Sequence, residues 1–335
     1  MQRISLNNVN IQSTSGPNQM SIKLGLGLEK LGFEIKLNEI SNKNDINLVF
    51  IETDSVPEDL TKPLVLRLDG IFYANQFEFD TRNVLIRKTY ERADGIIFQS
   101  GFDKKMIEKH FGVRDVPKKI IYNGSFARRF DRKKIKIEWL ENIKEDFDTV
   151  FVCASDWKDR PHKRLNENIR FVSEFADWLK QKCCLITMGQ MDDVKPMTEI
   201  RHHKNFTQIH LGHVQPAQTV VPMSYADWFI HLAYQDHMPG VIADCLAAQL
   251  PAICSSSGGT PEIVAERGLI IEEQEEFDFE ISDYRKPPKL VFTEEHFKVV
   301  DEGLELAQED VEDVHMNAVT QKYVEFFEEV IESRE

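Results

Sequence analysis

The chain has 335 residues, 41% of them hydrophobic and 29% charged, which is enough material for two α/β domains of ordinary size. Its formal net charge of −15 argues against extended binding along a nucleic acid, because such binding needs clustered cations to neutralise phosphates. No apolar run reaches the roughly 20 residues of a membrane-spanning helix, so we predict no membrane span.

The N-terminal stretch and the cysteines both predict a cytoplasmic protein. Residues 1–10 lack the apolar core of a signal peptide. The five cysteines show no metal-ligand spacing and stand in apolar surroundings, which is typical of reduced, buried thiols.

Strands and helices alternate in the first part of the chain. A strand from Arg3 to Val9 leads through a polar loop with Gly16-Pro17 into a helix from about Asn18 to Leu31. A second helix is predicted from Thr81 to Ala93, and Ser100 has a side chain suited to cap a third. The other strands of this part are predicted at residues 34–37, 47–51, 64–68 and 95–99.

The predicted strand 64–68 runs directly into Asp69-Gly70. An acidic residue at the C-terminal end of a buried strand stands where open α/β sheets bind their ligands. Asp69 is therefore a candidate functional residue. The alternative that stays open is a turn between strand and helix in which Asp69 is only a cap.

A charged stretch from Ser125 to Phe147 separates two series of strands, and we predict that it connects two domains. Its basic run, residues 128–136, is either a solvated face or a contact for an anionic acceptor. The second series begins with a strand from Thr149 to Ala154. Further strands of this series are predicted at residues 185–189, 207–212, 251–254 and 269–271, with another that ends at Leu232.

A turn rich in cations follows the predicted strand 149–154. It holds Lys158, Arg160, Lys163 and Arg164 directly before a helix that is predicted to run to Lys182. Cations gathered at a helix N-terminus favour anion binding, because the free backbone N–H groups add to their charge. The alternative is a solvated basic loop.

The stretch from Asp236 to Glu262 has the order loop, helix, strand, glycine-rich loop, helix, which is typical of a nucleotide site at the edge of a parallel sheet. Pro239 stands at a first helical turn, and free N–H groups near residues 240–242 suit a diphosphate. Asp244 would then accept from ribose hydroxyls, and Asp236 would hold sugar hydroxyls beyond the phosphates. The alternative is an ordinary βα unit with two solvated aspartates.

The same stretch resembles the donor-site signature of glycosyltransferase family 4, whose members have the GT-B fold. Asp236 and Asp244, with seven residues between them, take the places of two glutamates in the family's pattern. Residues 247–251 (Ala-Ala-Gln-Leu-Pro) and 258–262 (Gly-Gly-Thr-Pro-Glu) match its next two motifs. Both acids are aspartates here, so each carboxylate stands one methylene further back than that of a glutamate. In addition, Gln249 replaces a glycine of the family's pattern.

This resemblance implies two Rossmann-like domains that face a cleft, with a C-terminal helix that crosses back to the first. The implied boundaries are residues 1–147 plus about 314–335 for the acceptor domain, and 148–313 for the donor domain. The implied reaction is the transfer of a sugar from a nucleotide-diphosphate sugar, UDP- or GDP-linked, with retention and without a cofactor. The acceptor stays open between a glycan, a lipid-linked sugar, a protein and a modified base.

The resemblance also assigns site residues. It implies that the catalytic residues are Asp69, Lys163 and Asp236. It implies that the donor is bound by Gly16, Lys158, Arg160, Lys163, His213, Pro239, Gly240, Val241, Ile242 and Asp244. No metal residue is expected, since the resemblance implies a site that needs no divalent metal, and Asp192 and Asp193 are adjacent.

Two other functions stay open. A non-catalytic nucleotide-sugar-binding protein on this fold would keep the basic pair and could lose Asp69. A sugar-nucleotide epimerase of GT-B type would show similar site residues without an open acceptor side.

Overall fold

Two sheets form the framework of the protein, in a computed structural model that describes residues 1–191 and 198–334. Asp192, Asp193 and Glu335 lie outside the described residues. The first sheet has the strands β1 (Arg3–Asn7), β2 (Glu34–Leu37), β3 (Ile46–Phe50), β4 (Leu64–Leu68), β5 (Gly95–Phe98) and β6 (Lys118–Ile120). The second has β7 (Thr149–Ala154), β8 (Cys183–Met188), β9 (Thr198–His203), β10 (Phe206–Gly212), β11 (Trp228–His231), β12 (Ala252–Ser255) and β13 (Gly268–Ile271).

The helices lie between and beyond these strands. Those of the first part are α1 (Gly16–Lys30), α2 (Gln76–Arg82), α3 (Val84–Arg92) and α4 (Gly101–Phe111). Those that follow are α5 (Glu138–Asp146), α6 (Leu165–Leu179), α7 (Val220–Met223), α8 (Gly240–Ala247), α9 (Thr260–Val264), α10 (Glu294–Glu302) and α11 (Met316–Glu332). Across the described residues, no helix combines the length and apolar character that crossing a bilayer would need.

The first sheet is parallel throughout, in the order β2-β1-β3-β4-β5-β6. In β4, Val65 packs into one hydrophobic cluster, whereas Leu64 and Leu66 pack into a second cluster on the other face. Neighbouring residues of a strand point to opposite faces, so a continuously apolar strand is what a sheet covered on both sides requires.

The second sheet has the order β13-β12-β11-β7-β8-β10-β9, and it is parallel except for the edge strand β9, which runs antiparallel to β10. Its two faces are covered by separate hydrophobic clusters. In both sheets the C-terminal ends of the strands meet at one edge, where open α/β folds place their ligands.

The helix α11 crosses back to the first domain, as the resemblance implies. Its residues Met316, Tyr323 and Phe327 share a hydrophobic cluster with Ile4 of β1 and Leu24 of α1. The two Rossmann-like domains and the returning helix confirm the predicted fold class.

Several predicted elements differ from those observed. The predicted helix 81–93 is wrong in its extent, because the chain forms α2 and α3, which meet at Asn83. The side-chain amide of Asn83 bonds both backbone polar groups of Phe72, at 2.9 and 2.6 Å, and this fixes the junction. A 3₁₀ turn at residues 309–314 precedes the final helix α11. The helix α5 and the strand β9 were not predicted.

A segment of residues 272–288, here called the strap, crosses from the second domain onto the first. Its Phe277 and Phe279 lie 5.9 and 5.2 Å from the ring of Phe102 in α4. The backbone N–H of Ser282 donates to the carbonyl of Tyr73 at 3.0 Å. The acidic, irregular sequence gave no sign of this contact, because its apolar residues are isolated among charged ones.

Candidate functional site

A cavity of about 610 Å³ lies in the cleft between the domains. The first domain lines it with the loop 13–17 after β1, with α1, and with Asn123-Gly124. The second domain lines it with residues that follow β7, β8 and β10, and with the start of α8. The cavity therefore stands at the C-terminal edges of both sheets.

Most of the predicted donor-site residues come together here. Gly16, Arg160, Lys163, His213, Pro239, Gly240, Val241 and Asp244 all line the cavity. Asp69, Lys158, Asp236 and Ile242 are not among its lining residues.

The N-terminus of α8 lines the cavity with Pro239, Gly240 and Val241. Pro239 is the N-cap in extended geometry, and Gly240 is the first helical residue. The N–H groups of a first helical turn have no partner within the helix, so those of Gly240 and Val241 suit an anion. The N–H of Ile242 already donates to the carbonyl of Pro239 at 3.1 Å, and its side chain is fully buried in the core.

Two residues predicted to be catalytic form an ion pair beside the cavity. The ammonium of Lys163, in the turn after β7, donates to Oδ2 of Asp236. His231, at the end of β11, has its Nε2 at 3.3 Å from the same oxygen, and it lines the cavity. His231 is almost fully buried, and its Nδ1 has no hydrogen-bond partner in the described structure. Sequence analysis missed His231, because a histidine inside an apolar strand resembles a core residue.

The electrostatics of this cluster keep Asp236 ionised. Burial alone would raise the pKa of Asp236, but the Lys163 ammonium and His231 hold it well below its usual range. Burial lowers the pKa of His231, against the opposing effect of Asp236, so the imidazole is held neutral. The pKa of His162, next to Lys163, falls to about 4, mainly through burial and then through the Lys163 charge.

Asp244, predicted to face the ribose, is held by two residues of the first domain. Lys23 Nζ of α1 lies 2.5 Å from Asp244 Oδ1, and Ser125 Oγ donates to the same oxygen at 2.5 Å. Lys23 also lines the cavity. Sequence analysis missed Lys23, because a lysine on an amphipathic helix carries no signal for a partner 221 residues away.

Asp69 takes part in a buried network next to the cavity. It pairs with the guanidinium of Arg67, which is almost fully buried in β4. Arg67 also donates to the hydroxyl of Tyr323 at 2.8 Å and to Asn123 Oδ1 at 2.5 Å. Asn123 in turn donates to the carbonyl of Met238 at 2.9 Å, so the network reaches the loop before α8.

The two other predicted cations differ in position. Arg160 lines the cavity and lies 3.3 Å from Asp156. Lys158 is exposed and stands outside the lining. His213, exposed at the end of β10, lines the cavity together with Val214.

The glycine-rich loop 258–262 supports the site and does not line it. A Cβ added to Gly259 would come within 1.9 Å of the carbonyl oxygen of His237, so only glycine fits against the loop that carries Asp236. Glu262 accepts the backbone N–H groups of Gly101 and Phe102 at 2.6 and 2.7 Å. An acid of the second domain thus caps α4 of the first.

The geometry suits a phosphorylated, hydroxyl-bearing ligand. Lys163, Arg160, Lys23 and the α8 N-terminus bring positive charge to one cavity, and Asp244 brings an acceptor for hydroxyls. Within residues 1–191 and 198–334, no three His, Cys, Asp or Glu side chains gather in a way that would hold a metal ion.

Comparisons with known proteins agree with this architecture. Residues 141–282, from α5 into the strap, match the family described as "Glycosyl transferases group 1". No protein in the curated set matches the chain.

Solved structures resemble the chain over its whole length. Sucrose-phosphate synthase from Thermosynechococcus elongatus aligns with a TM-score of 0.62 at 12% identity, over 99% of this chain and 100% of that one. A glycosyltransferase from Rickettsia africae aligns at 0.58 and 13%, over 98% of each chain. The Anabaena protein HepE, in complex with UDP and glucose, aligns at 0.58 and 13%, over 98% of this chain and 100% of that one. The chain therefore has the GT-B fold, and its second domain carries a segment that matches the glycosyl transferases group 1 family.

Proposed function

We propose that this protein is a retaining glycosyltransferase of family 4, which moves a sugar from a nucleotide-diphosphate sugar to an acceptor. The observation that carries the proposal is the cleft cavity, where the N-terminus of α8, the Lys163 ammonium and the Asp244 carboxylate converge. These groups are the ones that a diphosphate and a ribose need. The match over residues 141–282 and the UDP and glucose bound to HepE support the same donor class, UDP- or GDP-linked.

The proposed roles follow from charge and position. Lys163 and Arg160 neutralise the diphosphate as it leaves, and stabilising charge that develops in the transition state is where a site gains most rate. The N–H groups of Gly240 and Val241 bind the same phosphates. Asp236 accepts from hydroxyls of the transferred sugar, and His213 flanks the base.

A screen of nucleotide-sugars by thermal shift tests the proposal. A donor present at about 100 times its dissociation constant should add about 2.7 kcal/mol to the free energy of unfolding. UDP-sugars and GDP-sugars should stabilise the protein, and their slow hydrolysis should release the nucleoside diphosphate. If none of these ligands stabilises the protein, the donor class is wrong.

We expect transfer to be independent of divalent metal. Lys163, Arg160 and the α8 N-terminus supply positive charge at the proposed diphosphate position. Activity measured in excess EDTA should equal that in the untreated enzyme. Complete loss, restored by Mg²⁺ or Mn²⁺, would contradict this mechanism.

A non-catalytic sugar-nucleotide-binding protein is the second candidate, because the charge of Asp69 is already neutralised by Arg67. In that case the donor would bind without turnover on any acceptor, whether a glycan, a lipid-linked sugar, a protein or a modified base. An epimerase would instead release isomers of the free UDP-sugar with no acceptor present.

A further inference from the structure

The acid that faces the proposed ribose position is shared between the two domains. Lys23 belongs to α1 of the first domain, and Asp244 belongs to α8 of the second. Their 2.5 Å contact is largely shielded from water, since the side chains are 20% and 13% exposed. A shielded pair is screened less by salt than a surface pair, so the contact is a strong constraint on the Asp244 carboxylate.

Asp244 and Lys23 both keep hydrogen-bonding groups that are not used in their contact with each other. The bonds from Lys23 and Ser125 both end on Oδ1 of Asp244, which leaves Oδ2 for a ligand. A lysine ammonium has three donors, and Lys23 uses one on Asp244. Both side chains line the cavity, so a hydroxyl near Asp244 would meet an acceptor and a donor together.

The short reach of Asp244 makes the lysine more important. An aspartate extends one methylene less into the cavity than the glutamate found at the matching position of the resembling family. The Lys23 ammonium approaches Asp244 from the opposite wall of the cleft and lines the same cavity, so it adds a second polar group beside the shorter acid.

We propose that Lys23 is a donor-site residue, which orients Asp244 and donates to the ribose hydroxyls, so that both domains hold the nucleoside. This inference rests on the proposed function and adds a residue of the first domain to nucleotide binding. Since the pair forms only when α1 and α8 are close, donor affinity is coupled to closure of the cleft. Lys23 is remote from the transferred sugar, so it should affect KM more than kcat.

The primary test is Lys23→Met, with Lys30→Met as the matched control on the same helix. Lys30 is exposed and packs over Phe126, away from the cavity. Calorimetric titration with UDP and with GDP should show that Lys23→Met weakens the preferred nucleotide about tenfold or more, with kcat within about twofold. Lys23→Arg should recover part of the affinity, and Lys30→Met should match the wild type. Unchanged or tighter binding by Lys23→Met would overturn the inference.

A modified ligand separates a direct ribose contact from a loss of structure. The 2′,3′-dideoxy form of the same nucleoside diphosphate lacks the two hydroxyls, so Lys23→Met should bind it as well as the wild type does. Inorganic pyrophosphate should also bind equally to both. An equal loss for the dideoxy ligand, or a loss for pyrophosphate, would contradict the assigned contact.

Two outcomes distinguish this inference from the proposed function. If the wild type binds neither UDP nor GDP, the proposed donor class fails. If the wild type binds one of them and Lys23→Met binds it equally, only the role of Lys23 fails. Should Lys23→Met not fold, as judged by circular dichroism, Lys23→Gln keeps a donor without the charge and is subject to the same criteria.

Discussion

Under the proposed function, the Lys163–Asp236 pair means that neither side chain acts alone on the diphosphate. Lys163→Ala removes the cation and leaves the Asp236 carboxylate beside the phosphates, so it should lower kcat/KM by about 10²-fold or more. In that background, Asp236→Asn should recover part of the affinity for the bare nucleoside diphosphate, because the repelling charge is gone. Steady-state kinetics and calorimetric titration measure both effects. If the double variant binds no better than Lys163→Ala, the two charges do not act on the same phosphate.

The histidine next to this pair predicts a loss of stability in acid. The pKa of His162 is about 4 in the folded protein, mainly through burial, against about 6.5 for an unperturbed histidine. Between these values the unfolded chain takes up a proton that the folded protein does not, so the free energy of unfolding falls as the pH falls from about 6.5 to about 4. His162→Phe keeps a ring against Tyr284 and removes the titration.

Thermal melts across that pH range check this expectation. The melting temperature of His162→Phe should fall less than that of the wild type between pH 6.5 and 4. His203→Phe, at an exposed position, is the control and should follow the wild type. Parallel curves for all three proteins would contradict the prediction.

Residues such as Lys23, His231 and Tyr323 show where sequence reasoning stops. The cation-rich turn and the helix at Gly240 could be placed because each is a local pattern. The partners of Asp244 and Arg67 could not, because Lys23 and Tyr323 reach the site only through the way that distant helices pack. Lys158 and Arg160 were equivalent in the sequence, and only the fold of their loop brings Arg160 alone to the cavity wall.

At the scale of elements, the interaction between Glu262 and α4 predicts a measurable stabilisation. The carboxylate accepts hydrogen bonds from two N–H groups of the first turn of α4. Its negative charge also interacts favourably with the positive end of the helix dipole. Glu262→Gln keeps the shape and removes the charge, so it should lower the free energy of unfolding by about 1 kcal/mol. Urea denaturation measures this, with the exposed Glu266→Gln as the control. If both substitutions lower the free energy of unfolding by the same small amount, the Glu262 carboxylate does not stabilise α4.

Strands with continuous apolar sequence were predicted within a residue or two, since burial on both faces leaves a clear pattern. β4 and β7 coincide with their predicted bounds. The edge strand β9 was missed because its polar sequence, Thr-Glu-Ile-Arg-His-His, lacks an apolar run. The break between α2 and α3 was missed because it depends on the contact of Asn83 with Phe72.

At the scale of the whole molecule, the strap should make the two domains unfold together. Phe277 and Phe279 fill a cluster of aromatic rings with Phe102 and Tyr73 of the first domain. Phe277→Ala should weaken this contact between domains by about 1–3 kcal/mol and separate one calorimetric transition into two. Phe292→Ala, which loses a contact with Phe171 inside the second domain, should lower the melting temperature and keep a single transition. Two transitions in the wild type would contradict this expectation.

The chain leaves the first domain near Ser125 and returns to it near Met316, and these two points lie side by side. The N–H of Ser125 donates to the carbonyl of Val314 at 2.9 Å, and the N–H of Met316 donates to the carbonyl of Ser125 at 2.8 Å. Because β1 to β6 precede this bridge and α11 follows it, the second domain is an insertion into the first, entered and left through one narrow stem. A module joined in this way can be cut at the stem and replaced by the corresponding part of another GT-B protein. Under the proposed function, such exchanges would let the choice of donor change independently of the choice of acceptor.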